Sequence, residues 1–194
     1  MIYTRKFDYT GKVRGERKKA ETANGRTLLR EAVMKEYGVD TGTLTTEYGE
    51  YGKPYFKERP DIHFSISHSG EYAAIVLSDS EVGIDIQQVR EIKPKLVEKL
   101  CDEAERRYVY ESVDKDKAFI TLWALKESYI KAIGRGMSFP MDEINFRLDS
   151  SGSEIQGEIS NREGSYTVRD MGGYVLAVCF MQISEQRFSK GEYV

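Results

Sequence analysis

Four short segments carry residue types able to do chemistry on a phosphate. In Gly83-Ile84-Asp85-Ile86-Gln87, strand alternation sends Val82, Ile84 and Ile86 to one face and Asp85 and Gln87 to the other. The apolar side packs into a core. The polar side presents a carboxylate and an amide oxygen, hard ligands of the kind Mg2+ takes. Gly83 leaves room for backbone or ligand to come close. In Trp123-Ala124-Leu125-Lys126-Glu127-Ser128-Tyr129-Ile130-Lys131, helical spacing puts Trp123, Glu127 and Lys131 on one face. A solvated Glu–Lys pair is the ordinary meaning of that spacing. Ile120 and Ala124 share the face, however, so acid and base emerge beside apolar surface. They then read as a second metal carboxylate at Glu127 and a phosphate-binding cation at Lys131. Ser65-Ile66-Ser67-His68-Ser69-Gly70 surrounds a histidine with hydroxyls and a glycine that can expose backbone amides, a setting able to hold phosphate. No Gly-x-Ser-x-Gly elbow accompanies it, which argues against a Ser–His hydrolase. No cysteine lies near His63 or His68, which disfavours zinc, and His63 reads as an ordinary strand residue. Tyr51-Gly52-Lys53-Pro54 by itself is a turn bearing one cation.

The elements that position these residues follow from periodicity. Residues 22–37 read as a helix stopped by Gly38, with Leu28, Leu29, Ala32, Val33 and Tyr37 at helical spacing. Residues 62–67 and 82–87 alternate as half-wet strands, and the apolar run 72–77 reads as a buried strand. Residues 93–113 read as one charged helix, and 117–133 as a stronger one ended by Gly134 and Gly136. Strands are expected at 143–148, 152–159, 166–170 and 174–180. The segment Gly70-Glu71-Tyr72 and its following apolar run resembles Gly172-Gly173-Tyr174 and its own run. That self-similarity reads either as convergent hairpin chemistry or as two related α+β halves, residues 1–88 and 89–194, meeting near residues 87–92 with a site in the cleft between them.

Composition narrows the function class. The chain has 194 residues with 40% hydrophobic residues, 13 Tyr and 8 Phe, enough to bury a core. No stretch approaches the roughly 20 apolar residues of a membrane helix. The opening residues lack the apolar centre of a signal peptide, and Cys101 and Cys179 cannot form a disulfide framework. A cytoplasmic protein is expected. The net charge of −3 argues against a dedicated nucleic-acid binder. Arg5, Lys6, Lys12, Arg14, Arg17, Lys18 and Lys19 nevertheless crowd the start, as a solvated face or as a seat for an anionic partner.

Read in order, Arg26-Thr27-Leu28-Leu29, Gly52-Lys53-Pro54, the segment Phe64 to Ser69, Gly83-Ile84-Asp85-Ile86 and the segment Trp123 to Ala132 resemble the 4′-phosphopantetheinyl transferases of the surfactin-synthetase-activating type. The resemblance covers residues 26 to about 148. It implies an α+β fold of two similar lobes about a pseudo-twofold, each a small antiparallel sheet packed with helices. It also implies an enzyme that moves the phosphopantetheine arm of coenzyme A onto a serine of an apo acyl or peptidyl carrier protein, serving fatty-acid, polyketide or peptide-synthetase pathways. On that basis Asp85 and Glu127, with Gln87, are expected to ligate Mg2+ (Mn2+ being an alternative). Asp85, Glu127 and Lys131 are the expected catalytic residues, with Glu127 as base. Ser67 and His68 are expected at a coenzyme A phosphate, Lys53 and Pro54 at the adenine, and Arg26 at the 3′-phosphate with a further cation from residues 12–19. Asp85, Lys126 and Lys131 complete the coenzyme A contacts, Lys131 at the pyrophosphate. The family often has Glu where this chain has Gln87, which predicts weaker metal affinity. A monomer is expected, with neither nucleic acid nor membrane as partner. Two other classes compete: a non-catalytic coenzyme A-binding module, for which Gln87 speaks, and a polyanion binder using the basic N-terminal segment.

Overall fold

The computed structural model describes residues 1–8, 14–136, 139–148, 155–158 and 164–181. The chain runs β1 (Ile2–Lys6), α1 (Arg14–Tyr37), β2 (Thr46–Tyr48), β3 (Pro54–Phe56), β4 (His63–Ser69) and β5 (Tyr72–Ser78). It continues through β6 (Val82–Gln88), α2 (Pro94–Leu100), α3 (Glu103–Glu111), α4 (Lys115–Ile133), β7 (Asn145–Leu148), β8 (Ile155–Glu158), β9 (Gly164–Asp170) and β10 (Tyr174–Met181). Two antiparallel sheets, ordered β1-β5-β4 and β6-β10-β9, share one topology, and each half adds a two-stranded ribbon, β2-β3 or β7-β8. Strand, helix, ribbon and closing hairpin thus recur in the same order, and the fold is α+β with two similar lobes.

Alternation explains the layering. On β4 and β5, Phe64, Ala73, Ile75 and Leu77 face α1 through Leu28, Leu29, Ala32 and Val33. The opposite face supplies Ala74 and Val76 to a second core shared with Ile84, Ile86, Leu176 and Val178 of the other sheet. That sheet in turn buries Val175, Ala177 and Cys179 against α4. The order of layers is therefore α1, first sheet, second sheet, α4. The two similar hairpins meet in the middle: the rings of Tyr72 and Tyr174 pack edge-on with centroids 4.9 Å apart. Gly70, at φ +58°, leaves space that a Cβ would fill 2.3 Å from the Tyr174 hydroxyl.

Several boundaries differ from expectation. β6 pairs along β10, so by hydrogen bonding it joins the elements that follow it, whereas the sequence divides the halves after residue 88. The polar stretch that begins at residue 87 ends that strand. The single helix expected over 93–113 is two helices, because Asp102 accepts the Glu105 N–H while Glu105 accepts the Asp102 N–H, a capping box that starts α3 afresh. α1 begins eight residues before the predicted Thr22 start. A 3-10 turn, Met141–Glu143, occupies the beginning of the strand expected from residue 143. Parts of the strand expected over 152–159 lie outside the described residues, as does Lys12. No helix among the described residues is long and apolar enough to cross a membrane.

Candidate active site

The site forms where β6 crosses α4. A Cβ on Gly83 would stand 2.0 Å from the Ser128 carbonyl oxygen and 2.4 Å from the Ala132 nitrogen, so only glycine permits the contact. Two residues further on, Asp85 reaches the same stretch of helix. Lys131 Nζ lies 2.7 Å from Asp85 Oδ1 and also donates to Ser67 Oγ at 3.1 Å. Ser67 donates to Asp85 Oδ1 at 2.8 Å, and the Gln87 amide donates to Asp85 Oδ2 at 2.8 Å. Asp85 is buried, and three donors from three elements hold it.

Glu127, one helical turn before Lys131, is buried at 8% exposure. Among the described residues no hydrogen bond or ion pair reaches it. Burial pushes its carboxyl above the usual range, the negative charge of Asp85 pushes it further, and Lys131 pulls it back. Two buried carboxylates that repel each other, one of them without a donor among the described residues, offer hard oxygen atoms beside the Lys131 ammonium. With the Gln87 carbonyl oxygen they fit Mg2+, which keeps waters and phosphate oxygens among its ligands. Among the described residues no group of three or more acidic, His or Cys side chains gathers to hold an ion, so the protein's share of the ligands would be small.

The other predicted residues are distributed around this centre. Ser67 and His68 point to opposite faces of β4: Ser67 to Asp85, and His68 to Glu21 of α1, with Nδ1 3.5 Å from the carboxylate. Arg26 is exposed and, with Lys18, Lys19 and Thr22 of α1, borders a shallow hollow of about 580 Å³. Lys53 is paired with Glu81 and donates to the Val82 carbonyl at 3.3 Å and the Ala132 carbonyl at 2.7 Å, capping the end of α4. Pro54, next to it, opens β3.

Lys126 is not brought to the Asp85 centre. It is 1% exposed and donates to Glu105 Oε2 at 2.7 Å, the Leu100 carbonyl at 2.5 Å and the Met141 carbonyl at 3.3 Å. All three ammonium hydrogens are used inside the second lobe. Sequence reasoning missed the feature on the other side of Gln87, a groove of about 560 Å³ between α2 and α4. Arg90, Glu91, Lys93, Lys95 and Lys99 line it together with the apolar Ile92, Leu96, Phe119, Ile120 and Trp123. The signal available was the recurrence of basic residues from 90 to 99 opposite the Trp123 face.

Comparison with known proteins identifies the family. Residues 81–179 match the family model described as the 4'-phosphopantetheinyl transferase superfamily, a span containing Asp85, Gln87, Glu127 and Lys131. The chain is 31% identical over 164 residues to 4'-phosphopantetheinyl transferase Sfp of Bacillus subtilis (strain 168), covering 81% of this chain and 72% of that protein. It is 32% identical over 160 residues to 4'-phosphopantetheinyl transferase gsp of Aneurinibacillus migulanus, covering 80% of this chain and 66% of that one. A crystal structure of a holo-(acyl-carrier-protein) synthase from Bacillus anthracis str. Ames superposes with a TM-score of 0.47 at 22% identity, over 54% of this chain and 96% of that one. With its Asp85–Glu127–Lys131 centre inside the matched span and a relative of this identity aligned over most of both lengths, the chain belongs to the 4′-phosphopantetheinyl transferase superfamily.

Proposed function

We propose that this chain is a Mg2+-dependent enzyme, acting as a cytoplasmic monomer, that transfers the phosphopantetheine arm of coenzyme A to a serine of an apo acyl or peptidyl carrier protein and releases adenosine 3′,5′-bisphosphate. The observation that carries the reading is the pair of mutually repelling carboxylates, Asp85 and Glu127, beside the Lys131 ammonium. Such a cluster suits a reaction in which two linked phosphates gather charge.

Asp85 and Glu127, with the Gln87 carbonyl oxygen, would hold the ion. When bound, Mg2+ neutralises charge on the pyrophosphate oxygens. Lys131 leaves Asp85 for the pyrophosphate when a dianion is offered, and its fixed charge favours departure of the bisphosphate. Glu127, beside the reacting phosphate, takes the proton of the incoming serine hydroxyl. The α1 cations Arg26, Lys18 and Lys19, with His68, meet the 3′-phosphate end of coenzyme A. The groove lined by Arg90, Lys93, Lys95 and Lys99, whose four cations outnumber the one acid Glu91, suits the acidic helix start at which carrier proteins present their serine. Glu127→Gln tests the reading: transfer should fall by more than about 100-fold, as expected for loss of a general base. Turnover within tenfold of the native rate would remove Glu127 from that role.

A further inference from the structure

The spacing Ser65-Ile66-Ser67-His68-Ser69 has a consequence outside the site. The three serines share the face of β4 that looks toward the second sheet, alongside Ala74 and Val76 of β5. β6 is the edge strand of that second sheet. Antiparallel pairing turns alternate N–H groups of β6 toward β10, so those of Ile84, Ile86 and Gln88 point away from it, where an edge strand ordinarily lacks partners. Hydroxyls take the place of carbonyls there. The Ile84 N–H donates to Ser65 Oγ at 3.2 Å, the Ile86 N–H to Ser67 Oγ at 3.2 Å and the Gln88 N–H to Ser69 Oγ at 3.0 Å. Each rung has the same sequence offset of 19 residues, so the two strands rise together. Because side chains stand perpendicular to their sheet, this ladder sets the edge of one sheet against the face of the other.

We propose that the serine ladder is the joint that registers the second lobe on the first, and that Ser65 is a positioning residue for phosphopantetheine transfer. Ser67 belongs to the ladder and to the site at once, accepting from the Ile86 N–H while it donates to Asp85 and accepts from Lys131. Among the described residues Ser65 makes no hydrogen bond to the acidic or cationic groups of the site. It acts through the backbone, fixing Ile84 and hence the height at which the next residue, Asp85, meets α4. A slip of one residue would turn Asp85 from the helix to the apolar core. The kinetic part of this inference rests on the transferase reading; the structural part does not.

The test compares Ser65→Thr with Ser65→Val in the full chain. The two added side chains have nearly the same shape, and only threonine keeps the hydroxyl. Amide exchange followed by NMR should show the Ile84 amide opening about tenfold faster in Ser65→Val than in Ser65→Thr, with Gly83 and Asp85, which face β10, within about twofold. In transfer assays the Mg2+ concentration for half-maximal rate should rise about threefold or more in the valine variant alone, while KM for coenzyme A stays within about twofold. Equal Ile84 exchange in both variants would overturn the ladder. Faster exchange with an unchanged Mg2+ midpoint would overturn the positioning role. If Ser65→Val does not fold, Ser69→Ala at the solvent end decides: the Gln88 amide should exchange about tenfold faster than in the native chain, and unchanged exchange would overturn the proposal. Absence of transfer by the native chain would fail the functional reading while leaving the exchange result to judge the ladder.

Discussion

Lys131 Nζ lies 2.7 Å from Asp85 Oδ1, joining the last turns of α4 to the edge strand of the second sheet. The carboxylate is buried while the lysine side chain is 29% exposed, so the ammonium can exchange Asp85 for an arriving phosphate without being stripped of water twice. Lys131→Met should lower transfer by about 10²–10³-fold, the usual cost of removing one preorganised charge. Ser67 and Gln87 still donate to Asp85, so the stability loss should be about 1 kcal/mol by urea unfolding, less than for a fully buried pair. Activity within tenfold of native would show that Lys131 serves packing alone.

Gly83 is a second point at which a small change should have a large effect. Gly83→Ala places a methyl 2.0 Å from the Ser128 carbonyl oxygen, and that neighbour is helix backbone, which cannot swing aside. β6 must then separate from α4, at a cost of about 3 kcal/mol or more. Denaturant unfolding reads that cost, and transfer should fall further than the folded fraction does, because Asp85 and Glu127 sit on the separated elements.

Lys126 stands next to Glu127 in sequence yet plays a different part. Its partner Glu105 accepts from Lys126 Nζ at 2.7 Å, the Phe146 N–H at 2.8 Å and the Asp102 N–H at 3.2 Å, tying α3, α4 and β7 together. Lys126→Met leaves a buried carboxylate uncompensated and should cost about 3–5 kcal/mol. Adding Glu105→Gln should recover more than half of it. KM for coenzyme A in the folded double variant should stay within about threefold of native. A tenfold rise in KM without loss of stability would instead make Lys126 a coenzyme A contact.

How much could be read without coordinates depends on the distance over which each feature is determined. The Asp85–Glu127–Lys131 centre was legible because a period of two on β6 and of 3.6 on α4 separate polar from apolar faces within a few residues. The same alternation would have told that Ser67 and His68 look opposite ways. The break at Cys101-Asp102 carried a local sign, an acid three residues before Glu105, that the even spacing of apolar residues concealed. β1, β2 and β3 escaped notice because they are short and largely wet, with little apolar pattern to show. The Lys126–Glu105 pair spans 21 residues and two helices, so no local pattern announces it.

The two cysteines give a pH prediction. Burial pushes the thiols of Cys101 and Cys179 up to about 12. An unfolded thiol ionises near 8.5, so the unfolded state releases its protons first as pH rises. The stability held by the protonated thiols is complete below about pH 8.5 and declines toward pH 12, by about 1.4 kcal/mol per unit for each thiol. The Cys101→Ala, Cys179→Ala double variant should show a shallower decline over that window. Iodoacetamide at pH 8 should leave both thiols unmodified in the native chain and label both in denaturant.

The central claim is the transfer itself. Intact mass spectrometry of an apo carrier protein, incubated with this chain, Mg2+ and coenzyme A, reads it directly. The carrier should gain the mass of one phosphopantetheine arm, and the gain should vanish when Mg2+ is chelated. Coenzyme A binding with no mass gain on acyl or peptidyl carriers would contradict the account and leave a binding module in which Gln87 has cost the site its metal.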